Sequence, residues 1–269
     1  MTELQAAVLG VVEGVTEYLP VSSTGHLILA QRALGIERSE AADAYAICIQ
    51  AGAIVAVLGL YRARVAQMLR GLAGRDEAGR RLFVQLVIAF LPAAVLGFLF
   101  DDVVEALLFG LWPVVVAWTV GGVAILLLPT RTGGKPIEGL DNRTAFLIGC
   151  AQCLALWPGT SRSLATILGG VMLGVSLPAA VEFSFLLGLE TLGAATLYAG
   201  LKHGDEMVST FGVAPLAIGF VAAAVSAAVS VKWMVAWLAS RGMGLFAAWR
   251  IGLAAVVATL LLMGVLPAA

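Results

Sequence analysis

Glu13, Glu17, Ser22, Ser23, Thr24 and His26 fall within one short stretch, EGVTEYLPVSSTGH, of a chain that is otherwise oily. Four-residue spacing puts the two carboxylates on one helix face, with Cβ atoms roughly 5–6 Å apart. Pro20 ends that helix, and Ser22 or Ser23 is placed to cap a second one beginning beside Thr24 and Gly25, with His26 in its first turn. A helix start presents unpaired N–H groups to the space beside the carboxylates. The stretch therefore reads as an anion site facing an acid pair, with a divalent cation able to join the two.

A second constellation, Pro158-Gly159-Thr160-Ser161-Arg162-Ser163, repeats the proline break and the hydroxyls and adds an arginine. An arginine inside an apolar hairpin costs roughly a few kcal/mol even on lenient insertion scales. Its compensation is an anionic partner: Glu13, Glu17, a phosphate, or, in a purely structural role, Glu182 or Glu190. The planar guanidinium fork suits phosphate. Together the two stretches predict one cavity with two helix starts, an arginine, an acid pair, a serine and a histidine, a set that bridging phosphates and a cation would satisfy. The plainer readings are a solvated interfacial helix for Glu13 and Glu17, a hydrogen-bonded structural role for His26, and simple capping for Ser22, Ser23, Thr160 and Ser161. Gln50 and Tyr45 either line the cavity or pack.

The elements that must position these residues follow from composition. The chain has 269 residues, 61% hydrophobic and 12% charged, against about a quarter charged in a soluble domain, so it is an integral membrane protein. Glu3, Gln5, Glu13 and Glu17 interrupt the first apolar run, which does not read as a cleavable signal peptide. Cys48, Cys150 and Cys153 do not form a disulfide framework; the C-x-x-C lies in an apolar segment and reads as packing.

Runs long enough to cross a bilayer are Tyr45–Tyr61, Leu82–Phe100, Trp112–Pro129, Ala180–Gly200, Phe211–Trp233 and Phe246–Leu266. Two more apolar regions, Leu4–Leu34 and Arg143–Leu177, are each broken in the middle and read as re-entrant pairs of half-helices, tolerated only where buried in protein or lining a polar cavity. Gly10-Val-Val-Glu13 matches Gly149-Cys-Ala-Gln152, and Leu19-Pro20-Val-Ser22-Ser23 matches Trp157-Pro158-Gly-Thr160-Ser161, with a one-residue slip between the blocks. The expected fold is all-α: six transmembrane helices plus two re-entrant hairpins in an inverted-topology repeat. The 269 residues form one membrane domain, repeat one at about 1–130 and repeat two at about 143–269, joined by a cytoplasmic loop. Such repeats place their site at the repeat interface near the midplane.

Basic residues set the orientation. Arg32, Arg38 and Lys202 lie on the side of the termini; Arg62, Arg64, Arg70, Arg75, Arg80, Arg81, Arg131, Lys135, Arg143, Lys232, Arg241 and Arg250 lie on the other, which the positive-inside rule makes cytoplasmic. Asp101, Asp102 and Glu105 fall on the outward side. Both termini and the first hairpin's mouth are then expected to face the periplasm or outside.

Three stretches, GVVEGVTEYLPVSSTGHL, QCLALWPGTSRS and EFSFLLG, give the chain a resemblance to the undecaprenyl-pyrophosphate phosphatase family of bacterial inner membranes, the bacitracin-resistance type. The resemblance implies the same fold plan. It implies hydrolysis of undecaprenyl pyrophosphate to undecaprenyl phosphate and inorganic phosphate on the outer face, recycling the lipid carrier of cell-wall synthesis, with Mg²⁺ or Ca²⁺ as cofactor. It carries catalytic roles onto Glu13, Glu17, Ser23, His26 and Arg162. The remaining site residues expected are Ser22, Thr24, Thr160, Ser161, Ser163 and Gln50 for substrate, and Glu13 and Glu17 for metal. Expected partners are the polyprenyl pyrophosphate lipid and membrane lipids, with no nucleic acid and room for a homodimer. The sequence departs from the family at Leu164, where glycine often follows the SRS triplet, at Leu177, where arginine often follows G-V-S, and at Glu190, an apolar or proline place. The rival reading is a polyprenyl-phosphate flippase or other secondary transporter, since inverted repeats with broken helices also serve carriers.

Overall fold

The structure is a computed structural model that describes residues 1–37, 39–108, 110–127 and 133–267, without the side chains of residues 101–103, 105 and 106. Arg38, Arg131 and the end of the expected span at Pro129 lie outside the described residues, as do the side chains of Asp101, Asp102 and Glu105. The regular structure is helical: α1 (Glu3–Thr16), α2 (Ser23–Ala33), α3 (Glu40–Cys48), α4 (Gln50–Leu60), α5 (Arg62–Leu72), α6 (Glu77–Leu108), α7 (Leu111–Leu127), α8 (Asn142–Gln152), α9 (Arg162–Met172), α10 (Leu177–Phe211), α11 (Val213–Arg241) and α12 (Gly244–Leu262).

Among the described residues five stretches are long and apolar enough to cross a membrane: Glu40–Leu60, Glu77–Phe100, Leu177–Phe211, Val213–Arg241 and Gly244–Leu262. Helix α7 has 17 described residues, about 25 Å of rise. The first expected span is two helices hinged at Ile49, both continuing the same path. Helix α5 has no counterpart in the sequence reading, because Arg62, Arg64, Gln67 and Arg70 interrupt it and only unbroken apolar runs are sought.

Helix α1 is seated by a seam of small residues. Gly10 and Gly14, one turn apart, press their backbone against Gly219, Ala222, Ala223 and Ala227 of α11, where a Cβ on either glycine would collide. Ser230 Oγ donates to the Gly14 carbonyl at 2.9 Å, closing the seam. Close backbone approach of this kind replaces the hydrophobic drive that lipid cannot supply. Tyr45 is fully buried beside it, its hydroxyl 3.3 Å from the carbonyls of both Ala6 and Pro215, so it packs rather than lines a cavity. Gln5 Nε2 reaches the Leu34 carbonyl at 2.9 Å and ties the start of α1 to the end of α2. In the second half, Gly149 of α8 meets the Ala89 backbone of α6 in the same way.

At the end of the bundle that carries α5, Arg64 joins Glu182 of α10 and Glu138, each at 2.6 Å. The Arg64 hydrogen bond holds the Glu138 carboxyl below its ordinary range. Glu182 is thereby assigned a structural partner and is not the counter-ion of Arg162.

Candidate active site at the two helix breaks

Each broken helix turns on one serine. Ser22 (φ 73°) precedes α2 and Ser161 (φ 76°) precedes α9; among the described residues these are the only non-glycine positions at positive φ. Such a backbone is sparsely populated for a residue with a Cβ and is kept where its surroundings demand it. Aligning the two serines also pairs Gly10 with Gly149, Glu13 with Gln152, Pro20 with Gly159 and Ser23 with Arg162, all at one offset. The one-residue slip read from the sequence came from the prolines, which sit one step apart in the two turns. Ser161 Oγ caps α9 by accepting from the Leu164 N–H at 3.3 Å. Ser22, expected to cap α2 unless Ser23 did, makes no such bond although its backbone (φ 73°, ψ 102°) is close to that of Ser161 (φ 76°, ψ 117°), so the two differ in where the hydroxyl is directed and not in the turn; Ser23 is itself the first helical residue.

Glu17 joins the breaks. Its Oε2 accepts from Ser23 Oγ, the first residue of α2, and its Oε1 accepts from Arg162 Nη2 at 3.0 Å, the first residue of α9. Ser163 Oγ donates to the Leu19 carbonyl at 3.0 Å, a second tie between the halves. Arg162 lies flat against Gly188 of α10, where any side chain would collide with the guanidinium. Its Nη1 donates to the Ser184 carbonyl at 2.9 Å, and its carbon lies 5.2 Å from the Tyr18 ring centre. The arginine expected to need an anionic partner thus has Glu17.

Several atoms here are buried without partners: both carboxylate oxygens of Glu13, the Tyr18 hydroxyl and Nε of Arg162. Glu13 is fully buried and Glu17 7% exposed. A buried carboxylate with neither oxygen satisfied is costly. Oxygen donors on two carboxylates fit a hard divalent cation that takes its remaining ligands from phosphate and water. Glu13 has both donors free, whereas both oxygens of Glu17 are already engaged.

His26 lies in the first turn of α2, as expected, and both its ring nitrogens have partners. Its Nδ1 lies 2.7 Å from the Ser22 carbonyl and its Nε2 accepts from Trp249 Nε1–H at 2.9 Å. A carbonyl can only accept and an indole N–H can only donate, so this is the neutral ring protonated on Nδ1. The imidazole is packed between Trp118 and Trp249, ring centres 5.2 and 6.1 Å away. Thr24, Thr160 and Gln50 are half-buried and make no side-chain hydrogen bond among the described residues.

Arg250 corrects the sequence reading outright. Counted with the cytoplasmic basic residues, it is fully buried beneath both breaks. The signal was present: an arginine inside the apolar run Phe246–Leu266 carries the same cost that singled out Arg162. Tyr18, Ser184 and Trp249 were also missed, the last two because their partners are far away in sequence. Of the departures, Leu164 and Leu177 are buried core, while Glu190 keeps one buried oxygen without a partner. The three cysteines are free. A separate group, His203 with Glu40 and Glu206 at 3.7 and 3.6 Å, lies towards the C-terminal end of α10.

Residues 6–256 match the family model described as bacitracin resistance protein BacA. Similar curated proteins include undecaprenyl-diphosphatase 1 of Chromobacterium violaceum, 44% identical over 93% of this chain and 93% of that protein. The undecaprenyl-diphosphatase of Sorangium cellulosum is 42% identical over 94% of this chain and 84% of its own length. That of Nitrosomonas europaea is 43% identical, over 94% and 93%.

Proposed function

The chain belongs to the bacitracin resistance protein BacA family, and on that premise we propose a reaction for the site. The protein is a multi-pass membrane hydrolase, an undecaprenyl-diphosphatase, that converts undecaprenyl pyrophosphate to undecaprenyl phosphate and inorganic phosphate. The observation that carries the mechanism is the Glu17 carboxylate, held at once by Ser23 from one break and Arg162 from the other.

The diphosphate sits between the starts of α2 and α9, with Arg162 turning its fork to the non-bridging oxygens of the terminal phosphate. Glu17 takes the Ser23 proton as Oγ attacks the terminal phosphorus, and the bond to the lipid monophosphate breaks. Water then releases phosphate from the serine, with Glu17 returning the proton. Glu17 is the base in this reading because it already holds the Ser23 hydroxyl, whereas both nitrogens of His26 are engaged elsewhere. The role left to His26 is to fix the first turn of α2 through the Ser22 carbonyl. Glu13 and Glu17 would hold Mg²⁺ or Ca²⁺, which supplies charge neutralisation at the phosphate oxygens. Phosphoryl transfer of this kind is mainly positioning and electrostatics.

The finer architecture is part of the proposal. Six spans and two re-entrant hairpins in inverted repeat put the α1–α2 mouth outside the bacterial cytoplasmic membrane, with the basic face of α5 inside. The polyprenyl tail lies in lipid between spans. Support comes from the constant offset relating the two breaks and from the basic residues of α5 and the start of α6.

The test is phosphate release by purified protein from farnesyl pyrophosphate with Mg²⁺. The parent is expected to turn over, and Arg162→Ala and Glu17→Ala to lose at least about 10³-fold while eluting as the folded parent does. Near-parental turnover by either folded variant rejects this assignment. Lipid movement across vesicles with no phosphate released from any isoprenyl pyrophosphate would favour a carrier.

A further inference from the structure

Arg250 is fully buried, and no carboxylate pairs with it among the described residues. Its donors go to four backbone carbonyls. Nε reaches Trp118 at 3.3 Å and Nη1 reaches Pro20 at 3.3 Å; Nη2 reaches Ala117 at 2.8 Å and Gly159 at 2.9 Å. Pro20 and Gly159 are equivalent residues, each two positions before the serine on which its break turns. Below the guanidinium lies Gly121 of α7, where a Cβ would meet Nη2 and Cζ.

A buried, always-protonated side chain without an ion pair is expensive unless its donors are well used. Here two of the four bonds go to α7 and the other two to the turns that launch Ser23 and Arg162, one to each. From this geometry we infer that Arg250 is a positioning residue for phosphoryl transfer: it fixes the spacing of the two helix breaks, and so holds Ser23 and Arg162 on the same Glu17. The consequence for catalysis rests on the phosphatase reading above; the clamp on the two breaks does not. An ordinary packing role for α12 would steady α7 and α12, and would give no reason for both turns to respond together.

The experiment uses the full-length protein in detergent and has two readouts. Arg250→Lys keeps the charge but replaces the fork with a single ammonium that cannot span four carbonyls. Amide exchange in residues 17–26 and 157–166 is expected to speed up together, by roughly tenfold or more, because both turns lose their tie. In phosphate release, kcat is expected to fall about 30- to 100-fold with KM within threefold, the signature of misplaced reacting groups rather than lost substrate contacts. Gly121→Ala, which leaves the arginine in place and presses it upward, is read by the same criteria and decides the matter if Arg250→Lys does not stay folded. Exchange that rises at only one break, or at neither, overturns the clamp. Parental kcat in a folded variant overturns the positioning role. A parent that releases no phosphate rejects the phosphatase reading alone, and the exchange measurement still decides whether the clamp exists.

Discussion

The break at Pro20–Ser23 and the break at Pro158–Arg162 share a backbone device, a serine at positive φ just ahead of the following helix, yet they use their hydroxyls differently. In the second, Ser161 caps its helix and lies 3.0 Å from Ser163 Oγ, Ser163 reaches Leu19, and Thr166 lies 2.7 Å from Ser184 Oγ. In the first, Ser22 caps nothing, Ser23 is spent on a carboxylate, and Glu13 has no partner. Hydroxyls bonded to one another and to the backbone make a rigid platform, whereas buried polar atoms without partners, the Glu13 oxygens and Arg162 Nε, are held ready for a ligand. On the proposed reaction the pair divides labour: one turn presents the guanidinium and the other holds the groups that would move protons and take charge.

The hydroxyls test this division most severely. Ser23→Ala is expected to lower phosphate release on the order of 10³-fold with little change in stability, because it removes the attacking oxygen. Ser163→Ala should leave turnover within about threefold and cost about 1 kcal/mol of stability through the lost bond to Leu19. Reversal of these two results in turnover and thermal-unfolding assays would invert the assignment.

The equivalent pair Glu13 and Gln152 gives a smaller contrast. Gln152 is also buried with both amide atoms unpartnered, but it is neutral. Glu13→Gln should cut activity about 10²-fold and move the Mg²⁺ titration midpoint upward, since a cation loses a charged ligand. Gln152→Leu should cost tenfold at most and leave that midpoint unchanged. A metal shift in both variants would place ligands in both halves.

The smallest effect concerns the turns themselves. Glycine relieves positive φ at either serine, but only Ser161 gives up a cap and its neighbouring contact. Ser22→Gly is therefore expected to be more stable than Ser161→Gly by about 1 kcal/mol. For a chain of this size that is a few degrees in thermal midpoint. Equal midpoints would mean that the cap at Ser161 contributes nothing.

Much of this was legible in the sequence because the medium is unforgiving. Glu13, Glu17 and Arg162 stood out since ionisable groups in apolar runs need partners, and Pro20 and Pro158 marked where the helices stop. Five of the six expected spans meet the length and composition a membrane requires. What stayed hidden depended on distance or on local torsion. His26 and Trp249 are 223 residues apart, so the indole that occupies the imidazole could not be foreseen. Whether a serine caps depends on where its hydroxyl is directed, which residue type does not fix: Ser22 and Ser161 share a backbone conformation and only Ser161 caps. Arg250 was misfiled because a tally of charges by loop had already explained it.

The seam between α1 and α11 has a consequence for how the protein is made. Helix α1, which carries Glu13 and ends at Glu17, leaves the ribosome well before the surface of α11 that seats it. Until α11 arrives, Glu13 and Glu17 have no berth at membrane depth, and the acidic half-helix waits at the headgroup layer. Docking of that helix has to wait for α11, so a nascent chain can be threaded through the bilayer well before it can cut anything.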